Sequence, residues 1–475
     1  MQRKYGLFTA ICLIVGTVVG SGVFFKAQNI LQATGGNLSI GVLAWLLGGA
    51  IMILCILAFS VMAQKYEKVN GLVDYAEAAV GSKYAYYMGW FSAVIYLPAM
   101  TSVLAWVSAR YTMEFITAVW PNMPLQIPAA KGGCSIGPEC MALTLFYLVV
   151  SYVINTLSPK LAGKFQTSTT VIKFIPLTVM AVVGIIVGLT AKDQQLVENF
   201  KVLGAAENGG GAEALLTAVC ATAFAYEGWI ITTSINAELK DSKRNLPKAL
   251  ISGGIIIVAI YILYFLGVAG GASVDVLMTS GAPAAFVNIF GKLGNILTLF
   301  VAISCLGTLN GLMIGTTRGL YALAVRKQGP NPELFSQVDP TSNMTTNSAV
   351  IGLLVCAAWG LYFYVTTLFE TFGSFTIMKG TSLEHVPFVF DSSEIPIITM
   401  YAMYLPIFIS WMKKEKDESP LRRFVLPALA MVASIFVVYA CVVSKKMTNL
   451  WYLVVFAIVM GIGAIYKYKT DKKSV

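Results

Sequence analysis

Charge is scarce in this sequence. Asp, Glu, Lys and Arg make up 12% of the 475 residues, where soluble domains carry about 25%. That deficit excludes the string of soluble domains that length alone would suggest. Histidine is nearly missing: His385 stands alone. The eight cysteines form no CxxC pair and no zinc-like Cys/His spacing. Six of them (Cys12, Cys55, Cys220, Cys305, Cys356, Cys441) lie inside apolar runs, where a thiol acts as a small hydrophobe. No nucleophile–base pairing, metal cluster or phosphate loop is legible. The chain is therefore not expected to be an enzyme, and no catalytic residue, metal or cofactor is assigned.

What the chain has in excess is apolar sequence, at 57% of all residues. A membrane-spanning helix needs about 20 mainly apolar residues. Twelve stretches meet that need: 6–32, 39–64, 84–110, 141–158, 165–190, 213–239, 249–272, 285–325, 346–368, 395–412, 421–444 and 448–468. The fourth and tenth are short. The eighth is long enough to require tilt or a cytoplasmic extension. Arg3-Lys4 leads into the first run with no clear small-residue cleavage site, so that run reads as a membrane helix and not as a signal peptide. The expected fold is an all-α integral membrane domain over residues 1–475. Residues 6–190 and 213–412 form two five-helix halves, and 421–468 adds two helices.

The net charge of +10 could suggest nucleic acid, but its distribution does not. Lys and Arg sit in short clusters between the apolar runs, as they do where they orient helices in a bilayer. With the N-terminus inside, the inner segments hold twenty-two of them and the outer loops six. Both termini are therefore expected in the cytoplasm, in a multi-pass protein of the cell membrane. Aromatic residues at span ends, such as Tyr84, Tyr86, Tyr87 and Trp90, read as interfacial anchors.

Two spans carry residues that disfavour an unbroken helix. The first contains Gly16-Thr17-Val18-Val19-Gly20-Ser21-Gly22. Each glycine costs a helix about 1 kcal/mol relative to alanine. Irregular backbone at membrane depth is tolerated only against protein or a watery cavity. Such a stretch either lets another helix pack closely through small residues or breaks the span. The sixth span contains Phe224-Ala225-Tyr226-Glu227-Gly228-Trp229. A carboxylate at that depth costs about 2.5–3.5 kcal/mol, so it faces a polar interior, either tying two helices together or lining a site. The first and sixth spans lead the two halves, and interrupted helices at matching positions point to a transporter site. A half-helix N-terminus suits a carboxylate and a half-helix C-terminus suits an ammonium. An α-amino acid presents both groups on one carbon.

These segments resemble those of the amino acid–polyamine–organocation transporters. Gly16 to Phe24 is similar to their first-helix signature, and Phe224 to Trp229 to their sixth-helix break. Glu238-Leu239-Lys240 and Arg244-Asn245-Leu246-Pro247-Lys248-Ala249 resemble the following loop. Asn310-Gly311, Arg318 and Tyr321-Ala322-Leu323-Ala324 resemble the eighth helix. The likeness runs through most of the chain and is strongest to the L-type branch.

The resemblance implies a LeuT-type fold, with substrate between the first, third, sixth, eighth and tenth helices. It implies that Ser21 and Gly22 hold the substrate carboxylate, and that carbonyls of Val18, Phe224 and Glu227 accept from its amine. Gly16, Thr17, Gly20 and Gly228 belong to the helix breaks. Phe224 is the implied aromatic gate, and Trp229 has a weaker claim because it could simply pack. L-type members often have glycine or aspartate where Glu227 stands, and a longer acid there would disfavour acidic substrates.

Lys173 lies about 12 Å from the cytoplasmic end of the fifth span, at about 1.5 Å per residue. From sequence alone it either serves function or snorkels to the interface. The resemblance implies a tethered cation in place of a sodium ion, bonded to first-helix carbonyls and to Ser304 or Thr308.

Cys134 and Cys140 share the third-to-fourth loop, where animal L-type members have a cysteine for a partner subunit. Here the context differs. A local disulfide or free thiols are the readings, and no obligatory partner chain is expected. The Asn-x-Ser/Thr matches at Asn37 and Asn343 are too short to carry weight. Function is expected to be sodium-independent transport of small or neutral L-amino acids, by exchange or uptake. An amino-acid sensor using the same site is the alternative, disfavoured by the lack of a long cytoplasmic segment.

Overall fold

The computed structural model describes residues 6–66, 71–125, 136–206, 210–230, 239–339, 344–372, 375–378, 381–383 and 389–473. Its principal helices are α1 (Leu7–Val18), α2 (Gly22–Ala33), α3 (Leu38–Lys65), α4 (Ser82–Val119), α5 (Pro138–Leu157), α6 (Leu161–Thr190), α7 (Gly211–Ala225), α8 (Lys243–Gly271), α9 (Ala282–Ala324), α10 (Thr346–Leu368), α11 (Ile395–Lys414), α12 (Leu421–Lys445) and α13 (Thr448–Lys472). Ten of these, α3–α6 and α8–α13, are long and apolar enough to cross a membrane. The α1–α2 pair passes the same test jointly but bends by 48°. The α7 helix is a shorter apolar one of 15 residues.

The apolar stretches of the sequence coincide with these helices, with three differences. The sixth, 213–239, stops being α-helical at Ala225, and Cys134 and residues 231–238 lie outside the described residues. The long eighth stretch is composite: helix Ala282–Phe290, a 3-10 turn Gly291–Leu293, then helix Gly294–Thr317. The Gly-Lys-Leu-Gly sequence punctuates the run, so tilt of a single rod does not account for its length. The all-helical expectation also missed a two-stranded antiparallel ribbon, β1 (Phe375–Met378) with β2 (Thr381–Leu383), in register Phe375 to Leu383 and Thr376 to Ser382.

The chain divides into two compact units. The first comprises Met1–Ala85, Lys173–Leu297 and Ile397–Ser444. Its interior is aromatic. Trp45 meets Tyr226 and Tyr261 edge-on at 5.7 and 5.5 Å. Phe59 does the same with Tyr75, Trp229, Tyr404 and Phe408. Such offset geometries add about 0.5–1.5 kcal/mol per pair beyond burial. Asn37 caps α3 by accepting from the Ile40 N–H at 2.9 Å. On α12, Val432, Ile435, Tyr439 and Val442 are more than half-exposed or nearly so, as a lipid-facing stripe requires.

The second unit comprises Tyr86–Ile172, Thr298–Pro396 and Lys445–Val475. Within it, Trp90 Nε1 donates to Val459 O at 2.9 Å and Tyr86 Oη to Gly463 O at 2.7 Å, so two polar tips of α4 grip the backbone of α13. Asn155 Nδ2 donates to Asn310 Oδ1 at 2.9 Å, and Asn310 Nδ2 to Ala162 O and Gln166 Oε1, both at 3.2 Å. Asn310, singled out in the sequence, is thus a junction of α5, α6 and α9.

A candidate substrate site at the α1–α2 break

The residues of α1, α2 and the α7 end, with Lys173 and Tyr261, lie in the first unit. A helix end leaves its last four carbonyls without intrahelical donors. The α1 helix ends at Val18 because the backbone of Val19 turns extended, at ψ 103°. Val15 O keeps a partner in the Val19 N–H at 2.9 Å. Gly16 O accepts from Lys173 Nζ. Val18 O accepts from Tyr261 Oη at 3.0 Å.

Lys173 comes to that carbonyl through an interruption of α6. The helical segments Pro159–Ile172 and Phe174–Val179 abut at Lys173. Pro176 has no N–H to offer Ile172 O, and its ring crowds that carbonyl, so the helix breaks one turn earlier. The Lys173 side chain is 3% exposed. A hydrogen bond to a charged group contributes about 1.5–3 kcal/mol, comparable to the roughly 2.5–3.5 kcal/mol that a central lysine costs on insertion scales. Burial against a freed carbonyl explains this lysine; snorkelling does not.

On the other side of the break, α2 presents its N-terminus. Phe25 N bonds Ser21 O at 3.0 Å, so the N–H groups of Gly22, Val23 and Phe24 precede the first intrahelical bond. Ser21 is 1% exposed, and its hydroxyl has no hydrogen-bond partner among the described residues. A Cβ on Gly22 would stand 2.5 Å from Ala225 Cα, so the α2 tip and the α7 end approach more closely than any other residue allows. After Ala225 the chain turns through Gly228 at φ +103°, a backbone region that favours glycine. That turn lies against α1: a Cβ on Gly228 would be 3.6 Å from Thr17 O.

Phe224 packs edge-on against Phe25 at 5.9 Å. Glu227 is 8% exposed. Trp229 is fully buried against Phe59 and Tyr404, which is the packing role. The residue that sequence reasoning missed is Tyr261. Its hydroxyl is 3.0 Å from Val18 O and 3.0 Å from Ala225 O. One side chain of α8 thus serves both interrupted segments. Within Ala-Ile-Tyr-Ile-Leu-Tyr-Phe it is one aromatic among several and carries no sequence signal. Lys26 is buried on α2.

In the second unit, Ser304 is 1% exposed with a hydroxyl lacking a partner among the described residues, and Thr308 Oγ1 donates to Ser304 O at 3.2 Å. Cys140 is buried on α5. Among the described residues no cluster of three or more His, Cys, Asp or Glu could hold a metal.

The amino acid permease family model matches residues 5–465. The serine/threonine exchanger SteT of Bacillus subtilis (strain 168) is 27% identical over 460 residues, which is 94% of this chain and 93% of that protein. The human b(0,+)-type amino acid transporter 1 is 24% identical over 463 residues, 96% and 86% of the two chains. The crystal structure of MhsT in complex with L-phenylalanine matches with a TM-score of 0.60 at 13% identity, over 94% of this chain and all of that one. This last likeness is one of fold.

Proposed function

This chain belongs to the amino acid permease family, and from that premise we propose that it carries small neutral L-amino acids, serine and threonine first among them, across the plasma membrane without sodium. The named activity of SteT, which matches over nearly its whole length, supports the substrate class. The observation that carries the mechanism is the division of labour at the α1–α2 break. Fixed side chains, Lys173 and Tyr261, occupy the carbonyl side, while the N-terminal side keeps a buried serine hydroxyl with no hydrogen-bond partner among the described residues.

In this reading the substrate carboxylate is held by Ser21 Oγ and the N–H groups that begin with Gly22, where the helix dipole favours an anion. Its ammonium is held by carbonyls of Val18, Phe224 and Glu227. Val18 O already accepts from Tyr261, and a carbonyl has a second lone pair to offer. Gly16, Thr17, Gly20 and Gly228 shape the breaks, and Phe224 closes over the bound substrate. The Lys173 ammonium stands where a diffusible cation would otherwise neutralise the α1 carbonyls. Residues 6–190 and 213–412 act as two inverted repeats in alternating access. Both termini are cytoplasmic, and no partner subunit is required.

Proteoliposomes containing the purified chain alone test this. L-Serine uptake should be unchanged when choline replaces sodium. Neither decarboxylated nor N-acetylated serine should compete. Strict sodium dependence removes the role given to Lys173, and competition by either analogue removes the carboxylate or amine assignment.

A further inference from the structure

The α2 helix turns one face toward α7, and three residues at helical spacing define it: Gly22, Phe25 and Lys26. Gly22 lets Ala225 approach. Phe25 meets the ring of Phe224 edge-on. Lys26, four residues beyond Gly22, is 1% exposed, and its Nζ lies 5.0 Å from the Phe25 ring centroid and 5.2 Å from that of Phe224. A lysine at the edge of a membrane helix ordinarily extends its stem toward water. This one is turned inward, with two aromatic faces around its charge. A cation within about 6 Å of a ring centroid is attracted by the ring quadrupole, most strongly where water is excluded. All these groups lie in the first unit.

We propose that Lys26 is a positioning residue for the gate: its ammonium clamps the Phe224 ring to α2 and so holds Phe224 closed over the substrate. The inference rests on the reading of Phe224 as the ring that closes the site. Ring and clamp belong to different segments, α7 and α2. Release of the ring therefore requires either a rotamer change of Phe224 away from the ammonium or a separation of α2 from α7. The clamp adds nothing to contact with the substrate itself, so its loss should act on the stability of the closed state and spare the later steps.

The test is a set of variants assayed for L-serine transport in proteoliposomes, with thermal unfolding of each purified protein as a check on folding. Lys26→Met keeps the stem and removes the charge. It should raise KM about fivefold to tenfold, the size of an ordinary buried cation–π contact, with kcat within about twofold of wild type. Lys26→Arg keeps a cation over the ring and should restore KM. Phe224→Leu removes the ring, and in that background Lys26→Met should have no further effect. Phe224→Trp, which retains a π face, should preserve the effect.

Unchanged KM in Lys26→Met overturns the proposal. So does a parallel fall in kcat and unfolding temperature that arginine fails to rescue, which marks a structural role. Additivity of Lys26→Met with Phe224→Leu overturns it as well. A wild-type KM in Phe224→Leu alone instead sinks the gate reading, and so separates the two failures.

Discussion

A tyrosine hydroxyl carries one proton, so Tyr261 can donate to Val18 O or to Ala225 O at any moment but not to both. The two carbonyls share one donor, one from each interrupted segment. Removing that hydroxyl leaves buried acceptors unmatched, at a cost of about 1–3 kcal/mol. Tyr261→Phe should therefore reduce L-serine transport about tenfold while the protein still folds, as uptake in proteoliposomes and a thermal unfolding curve would show. Wild-type flux would mean that the Tyr261 bridge is only packing. Glycine gives a second contrast at this scale. A Cβ at Gly22 would meet the Ala225 backbone, whereas one at Gly461 would meet nothing within 4 Å. Gly22→Ala should lower the unfolding temperature by several degrees and abolish transport. Gly461→Ala should leave both intact, with a slight gain in stability because alanine favours helix by about 1 kcal/mol.

Helices were legible where composition alone decides them and illegible where a contact does. Most apolar stretches of the sequence coincide with helix, because long runs without charge have few other structures open to them in a bilayer; the sixth departs from it after Ala225. The glycines of 16–22 marked the bend between α1 and α2, since several poor helix formers fall within two turns. The interruption of α6 at Lys173 could have been read from Pro176, but an apolar run around it masked the signal. Tyr261 and Lys26 acquire meaning only from what α1 and α7 bring to them.

Another such contact joins the ends of α3 and α11. Glu415, just beyond α11, pairs with Lys65 and accepts from Tyr66 Oη at 2.7 Å, while the Tyr66 ring meets Trp411 edge-on at 5.7 Å. Burial pushes the Glu415 carboxyl up. The hydrogen bonds from Lys65 and Tyr66 together outweigh it and set the group below its ordinary 4.5. A depressed carboxylate stabilises the fold above its unfolded pKa and loses that contribution as pH falls through the folded value. Glu415→Gln should thus destabilise the protein at pH 7 by about 1 kcal/mol or less, as partly exposed pairs do. The gap to wild type should close as pH falls below 4.5. Thermal unfolding across pH checks this, and a gap that does not vary with pH would assign the contact to packing of Tyr66 on Trp411.

At the scale of the molecule, orientation is a property of the charge distribution. Folding buries apolar side chains regardless of which end faces the cytoplasm, so the fold alone does not choose a side. Lys and Arg in short loops do, because they are held back from crossing during insertion. With the N-terminus inside, twenty-two of these residues fall in inner segments and six in outer loops, and the predicted orientation rests on that bias. The loop after α6 carries Lys192 and is predicted outside; the one after α11 carries Lys413, Lys414 and Lys416 and is predicted inside. With the native cysteines replaced, Lys192→Cys should react with a membrane-impermeant maleimide on intact cells. Lys416→Cys should react only after the membrane is opened. Because the two positions lie on opposite sides of an odd number of crossings, a reversed pattern would invert the whole topology. Labelling of both positions from outside would show that a predicted span between them does not cross. The reversed pattern would also exchange the membrane face from which substrate first meets Ser21.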